Sequence, residues 1–142
     1  MPKKKFDIVV VGGGHAGIEA ALVSSFLGVS VALITMDKNA IARMSCNPAI
    51  GGLAKGQIVR EMDVLGGVMA ETADVSGLQF KILNKSKGRA VWSPRAQIDK
   101  RVYERNILKK IENSTVSIIQ SEATSVDIRN YKVKSVLLRS GE

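Results

Sequence analysis

The sequence predicts an α/β protein built on a doubly wound, parallel sheet, with its later strands missing and a small antiparallel β element near the end. Three observations predict it. An apolar, β-branched run, Phe6 to Val11, leads directly into Gly12-Gly13-Gly14-His15-Ala16-Gly17. A breaker-free stretch rich in Ala, Leu and Val follows and stops at Gly28. A second continuous apolar run, Val29 to Thr35, comes next. Strand, glycine turn, helix and strand in about thirty residues make one βαβ unit, placed at residues 6–35.

Each element has a local reason. Residues 2–5, Pro-Lys-Lys-Lys, form a polar lead-in. Unbroken apolar runs such as Phe6–Val11 and Val29–Thr35 suit strands buried on both faces, as in parallel sheets. Ile18–Leu27 reads as helix, with Gly28 as its stop. After Met36-Asp37 the pattern dissolves, and residues 38–56 read as one long loop carrying Asn47-Pro48, Gly51-Gly52 and Cys46. Gln57–Leu65 predicts a short helix ended by Gly66-Gly67, and Leu78–Leu83 a strand. Lys85–Pro94 reads as a basic loop. Gln97–Glu112 predicts a helix whose apolar stripe is Tyr103, Ile107 and Ile111. Val116–Gln120 reads as a third buried strand. Val126–Arg129 and Lys132–Arg139, split by Asn130-Tyr131, predict an antiparallel pair, so that strand and hairpin fill residues 116–139.

The glycine loop is the most informative motif. Gly12 permits the tight turn out of the strand, Gly14 a close backbone approach to a pyrophosphate, and Gly17 tight helix–strand packing. The first helical N–H groups, that of His15 among them, and the helix dipole then face the phosphates. A bare Gly-x-Gly-x-x-Gly is weak; flanked by strand, helix and strand, it predicts dinucleotide binding. The acidic residue that usually grips the ribose is absent from the end of the second strand. Thr35 stands there instead, with Asp37 two positions on, and its hydroxyl can donate to or accept from a ribose.

Charge is concentrated. Ten of the 21 Lys and Arg residues fall between Lys81 and Lys110, opposed there only by Asp99 and Glu104, so residues 81–110 carry the whole net charge of +8. Such a segment suits a polyanion such as RNA. Trp92 lies in it between Arg89 and Arg95, where packing beneath the loop competes with stacking on a base. One cysteine and one histidine exclude an internal disulfide and a cysteine-rich zinc site, and no metal site is expected. No apolar run spans a bilayer and no signal-peptide pattern is present, which predicts a cytoplasmic protein without membrane contact.

Cys46 sits in Met44-Ser45-Cys46-Asn47-Pro48-Ala49-Ile50-Gly51-Gly52. By spacing alone it reads as a small buried residue. A nucleophilic role needs its thiolate favoured, for example by Arg43, Lys55 or a helix N-terminus.

Together, VVVGGGHAGIEAA (residues 9–21), MSCNPAIGG (44–52) with LAKGQIVREMDVLGG (53–67), ILNKSKGRAV (82–91) and RAQIDKRVY (95–103) closely resemble the N-terminal part of one family. It is the tRNA uridine 5-carboxymethylaminomethyl modification enzymes, the MnmG/GidA family. The resemblance covers residues 6 to 139. It implies a Rossmann-like, glutathione-reductase-type FAD domain with the flavin pyrophosphate on Gly12 to Gly17. It implies adenine contact through the backbone just after the third strand, by position Ala123. Cys46 becomes a candidate catalytic thiol for adding to the uridine ring. The resemblance further implies NADH and a folate one-carbon donor as co-reactants, tRNA as substrate, the GTPase MnmE as partner, a homodimer, and a cytoplasmic setting. Family members are several times longer, so the chain is expected to be a fragment, inactive alone. The alternatives are a small-molecule flavin or nicotinamide oxidoreductase, which leaves MSCNPAIGG and the basic segment unexplained, and a non-catalytic RNA-binding module.

Overall fold

The computed structural model of the chain describes residues 4–45 and 47–141. In chain order the elements are β1 (Ile8–Val11), α1 (His15–Phe26), β2 (Val31–Thr35), β3 (Ala49–Gly51), α2 (Lys55–Val64), α3 (Met69–Val75), β4 (Gly77–Leu83), β5 (Ser93–Ile98), α4 (Lys100–Glu112), β6 (Ser117–Gln120), β7 (Ala123–Arg129) and β8 (Lys132–Leu138). Short 3-10 turns occupy Lys38–Ala40, Lys85–Lys87 and Arg89–Val91. The chain divides into two compact units, Met1–Ile41 with Ile111–Glu142, and Ala42–Lys110.

The first unit holds a three-stranded parallel sheet in the order β1-β2-β6, with Val9 opposite Ala32 and Leu33 opposite Ile118. β2 is central, and all five of its residues are buried. α1 runs between β1 and β2, packs against both, and buries Ile18, Ala21 and Leu22. Its stop is a left-handed Gly28 (φ +81°), whose N–H reaches the carbonyl of Ser25. A polar clasp fixes where β1 and β2 start. The Asp7 carboxylate accepts from the Ser30 N–H (2.9 Å) and hydroxyl (2.6 Å), while the Asp7 N–H donates to the Ser30 hydroxyl (3.0 Å). Those bonds hold the Asp7 carboxyl below its ordinary pKa, the side-chain bond most and the backbone bond next. β7 and β8 form the predicted hairpin, turning through Asn130 and Tyr131, both at positive φ.

Two strands depart from expectation. β1 was expected to be buried on both faces but is the sheet's edge and largely exposed, Val11 at 57%. It pairs only with β2, so its apolar run meets no cover on the other side among the described residues. β6 is half-buried rather than buried, for it is the opposite edge.

The second unit is an antiparallel sheet ordered β3-β5-β4, with α2 and α3 against it. Three of its elements, β3, α3 and β5, lie where the sequence reads as loop or marks no element. β5 is disguised by Pro94, which normally argues against a central strand. Here Pro94 lies one residue beyond the β3 pairing, which ends at Gly51 opposite Arg95, so no β3 carbonyl requires its missing N–H. Its carbonyl still accepts from the Gly52 N–H at 2.9 Å. The predicted helix at Gln97 begins three residues later. Gln97 and Ile98 complete β5, and the Asp99 carboxylate caps α4 by accepting from the N–H groups of Arg101 (2.9 Å) and Val102 (3.1 Å). Tyr103, Ile107 and Ile111 are fully buried, as their spacing predicts.

Candidate nucleotide-binding site

In the first unit, the carboxyl ends of β1 and β2 and the start of α1 converge on Gly12–Gly17. The Gly12 N–H donates to the Ile34 carbonyl (2.8 Å), which closes the last rung between the two strands. Gly12 then turns at φ +111°, a conformation that only glycine adopts freely. A Cβ on Gly17 would overlap the Gly12 carbonyl oxygen and stand 3.2 Å from its carbon, so the helix approaches the strand closer than any other residue permits. A Cβ on Gly13 would meet Ile41 Cγ1 at 3.0 Å and Thr35 Oγ1 at 3.2 Å. Nothing lies within 4 Å of a Cβ on Gly14. The loop is therefore packed from beneath at Gly13 and Gly17 and open above Gly14.

Gly14 is also the N-cap of α1, and no side chain caps that helix. No acidic residue stands in its first turn. The amide groups from His15 onward thus present a twelve-residue helix dipole with no carboxylate of their own to answer it. This donor set fits a diphosphate: exposed residues at Gly12, Gly14 and Ala16, room for an oxygen where Gly14 lacks a side chain, and a positive helix end.

Thr35 ends β2 and is only 8% exposed. Its hydroxyl donates to the Asp37 carbonyl (3.2 Å) and flanks Gly13, so it forms part of the loop's floor. The Asp37 carboxylate accepts from the Asn39 N–H (2.8 Å) and starts the 3-10 turn at Lys38. The Thr35 carbonyl accepts from the Ser121 N–H (2.9 Å), carrying the β2–β6 ladder past the end of β6. Ala123, two residues later, opens β7 opposite Leu138 and is half-buried. The geometry thus brings Gly12–Gly17 and Thr35 into contact and sets the segment leading to Ala123 beside the end of β2. Ile41, the other half of the floor under Gly13, escaped sequence reading. It lies where the periodicity has dissolved, and no residue pattern marks it.

Cys46 lies outside the described residues. Its neighbours belong to the second unit, where the Met44 N–H donates to the Glu104 carboxylate (3.4 Å) and the Pro48 carbonyl accepts from the Ile98 N–H (2.7 Å). The basic segment spans the β4–β5 hairpin, with Lys81 and Arg95 on its strands and Lys85, Lys87 and Arg89 in its loop (residues 84–92), and α4, which carries Lys100, Arg101, Arg105, Lys109 and Lys110. The Trp92 indole N–H donates to the Lys85 carbonyl (3.3 Å), and the Asn84 amide to the Val91 carbonyl (3.4 Å). The Arg89 guanidinium lies 5.8 Å from the Trp92 ring centre. Trp92 thus ties the two ends of the loop through its indole N–H while the residue stays 37% exposed, which leaves it neither packed beneath the loop nor assigned to a base. No helix among the described residues is long and apolar enough to cross a membrane.

The family model of the Glucose inhibited division protein A, GidA, matches residues 7–142. The chain belongs to the GidA family. Curated GidA-family relatives, each named tRNA uridine 5-carboxymethylaminomethyl modification enzyme MnmG, include proteins from Endomicrobium trichonymphae (48% identical over 99% of this chain) and Chlorobium phaeobacteroides (52% over 96%). The chain spans 24% and 22% of those two relatives. Crystal form I of Aquifex aeolicus GidA superposes with a TM-score of 0.93 at 48% identity, covering 98% of this chain and 23% of that one. The flavin-dependent brominase Bmp2 shares the fold at a TM-score of 0.62 and 24% identity, over 96% of this chain and 34% of its own. The Rossmann-like α/β reading and the family resemblance both stand.

Proposed function

We propose that this chain is the FAD-holding N-terminal portion of an enzyme that modifies carbon 5 of the wobble uridine in tRNA. The observation that carries the reading is the glycine cradle itself, closed beneath and open at Gly14, in a chain about half identical to curated MnmG proteins. Backbone amides of Gly12 to Gly17 hold the FAD pyrophosphate. The backbone at Ala123 meets the adenine, and Thr35 shapes the ribose end. When bound, the flavin supplies hydride chemistry.

The chain's own residues account for the rest. Carbon 5 of uracil is a weak nucleophile until a group adds at carbon 6, and Cys46 is the thiol assigned to that addition. The basic β4–β5 loop gathers tRNA phosphates. In the whole enzyme, NADH supplies electrons and a folate-borne unit supplies one carbon, while the nitrogen of the added group and any carbons beyond it come from a separate amine co-substrate. The MnmE GTPase is the partner, the enzyme is a homodimer, and the cytoplasm is its setting. The 142 residues alone bind FAD without turning over tRNA.

The test is a Cys46→Ser change in the complete enzyme, read by mass spectrometry of tRNA nucleosides and by flavin absorbance. Loss of modification with flavin retained supports the assignment. Full modification removes Cys46 from the chemistry.

A further inference from the structure

The hairpin that carries the basic loop contains a feature the sequence alone does not reveal. In the β4–β5 register, Lys81 lies directly opposite Arg95. Directly opposed residues project from the same face with Cβ atoms about 5 Å apart, and like charges in that relation destabilise a sheet. Both side chains are exposed, and neither makes an ion pair among the described residues.

The strand positions around the pair offer no counter-charge, although Asp63 of α2 and Asp74 of α3, with Arg60, line the same cleft as Lys81 and Arg95 without an ion pair to either among the described residues. Beyond Arg95 the opposing β3 residue is Gly51, which has no side chain. The remaining positions of the face are Ala49, Gln79, Leu83, Ser93 and Gln97, without a carboxylate among them. From Ser76 to Ile98 the sequence contains no Asp or Glu, while Lys85, Lys87 and Arg89 follow Lys81 into the loop. A sheet needing only stability would place an acid or a neutral residue across from Arg95.

We propose that Lys81 and Arg95 are a two-cation clamp for a backbone phosphate of the RNA substrate, kept in a mutually repulsive register because the phosphate neutralises both. This rests on the reading of the chain as part of a tRNA-modifying enzyme. Arg95 offers a planar fork and Lys81 a point charge, which together suit one phosphodiester. The loop cations, on a scaffold pinned by Trp92, continue the single-sign field along a repeating anion. A continuous phosphate chain matches that field better than an isolated anion does.

The clamp makes an unusual joint prediction, tested on the purified protein with Lys81→Gln, Arg95→Gln and the double variant. Lys132→Gln, on the separate β7–β8 hairpin, is the control. Binding of unmodified tRNA is measured between 50 and 200 mM salt, and thermal midpoints are measured without RNA. Each single variant is expected to bind tRNA about 3- to 10-fold more weakly, with a salt slope reduced by about one. Each should melt at or above the wild-type temperature, and the double variant no higher than the better single, because the first substitution already removes the repulsion. Lys132→Gln should leave both readouts unchanged.

Wild-type affinity and slope in the Gln variants overturn the clamp while leaving the RNA reading intact. A wild-type protein that binds no tRNA at any salt overturns the reading beneath it, and the clamp with it. Competition by polyglutamate as effective as by tRNA assigns the pair to an acidic protein instead. If the Gln variants melt lower, Lys81→Arg and Arg95→Lys decide: retained binding and slope support the clamp, and their loss overturns it.

Discussion

Gly14→Ala and Gly17→Ala separate what the cradle does for folding from what it does for the ligand. A methyl at Gly17 would overlap the Gly12 carbonyl, backbone against backbone, with Val10 Cγ1 3.4 Å away on the same side. An overlap this deep, with backbone that cannot yield, costs the upper part of the overpacking range, about 2–3 kcal/mol, from which roughly 1 kcal/mol of better helix propensity is recovered. A net loss of about 1–2 kcal/mol lowers the melting temperature by roughly 3–10 °C in a domain of this size. At Gly14 the backbone is ordinary extended chain (φ −77°, ψ 177°) and a Cβ meets nothing within 4 Å. Alanine there forfeits roughly 0.5–1 kcal/mol as N-cap and regains about 0.4–1 kcal/mol from the unfolded chain, leaving stability within ~0.5 kcal/mol. On the proposed function, its methyl would take the space of a phosphate oxygen, since nothing beyond its chain neighbours lies within 4 Å of it. Loss of one charge-assisted backbone hydrogen bond, about 2 kcal/mol, weakens FAD about 30-fold. Circular dichroism melts of the ligand-free protein and flavin fluorescence titrations give the two readouts. A Gly14→Ala protein that binds FAD like wild type, or a Gly17→Ala protein that melts like it, refutes the reasoning.

Three further outcomes follow from local geometry. The Asp7 carboxyl has a folded-state pKa below its ordinary value, so its stabilising contribution is present above the ordinary carboxylate range and fades as pH falls through the lowered folded value. Asp7→Asn should therefore melt lower than wild type at pH 7, with the gap narrowing below about pH 4; a gap constant with pH contradicts the assignment. Tyr131 is fully exposed and held at φ +60° in the β7–β8 turn, where Asn-Gly is the favoured pair. Tyr131→Gly should stabilise by about 1 kcal/mol, and a lower melting temperature would show that the tyrosine ring contributes packing. Trp92→Phe removes the indole N–H that holds the Lys85 carbonyl, so amide exchange across residues 84–92 should accelerate several-fold with little change in the global melt; unchanged exchange would show that the brace is dispensable.

The sequence disclosed those parts whose physics is local. Gly12, Gly14 and Gly17 announced a strand-to-helix turn because three backbone requirements at fixed spacing leave few alternatives. The stripe Tyr103, Ile107, Ile111 and the Asn130-Tyr131 turn were legible for the same reason. What escaped depends on pairing between distant residues. β3 and β5 are strands because Ile50 lies opposite Ala96 and Phe80 opposite Ala96 on the other side, and neither Pro94 nor the glycines near β3 suggest a sheet. The Lys81–Arg95 opposition is likewise a fact of register, invisible in a list of charges. The exposure of β1 ran against its composition: an apolar run reports what a strand can bury, whereas among the described residues β1 pairs with β2 alone and stands at the sheet's edge.

The central claim is that backbone amides at Gly12–Gly17 bind a diphosphate. Isothermal titration of the purified protein with FAD, ADP and riboflavin tests it most directly, because only the first two carry that group. The account predicts one-to-one binding of FAD and of ADP, both lost in parallel on Gly14→Ala, with riboflavin silent. Riboflavin binding as tightly as FAD, or FAD binding indifferent to Gly14→Ala, would contradict it.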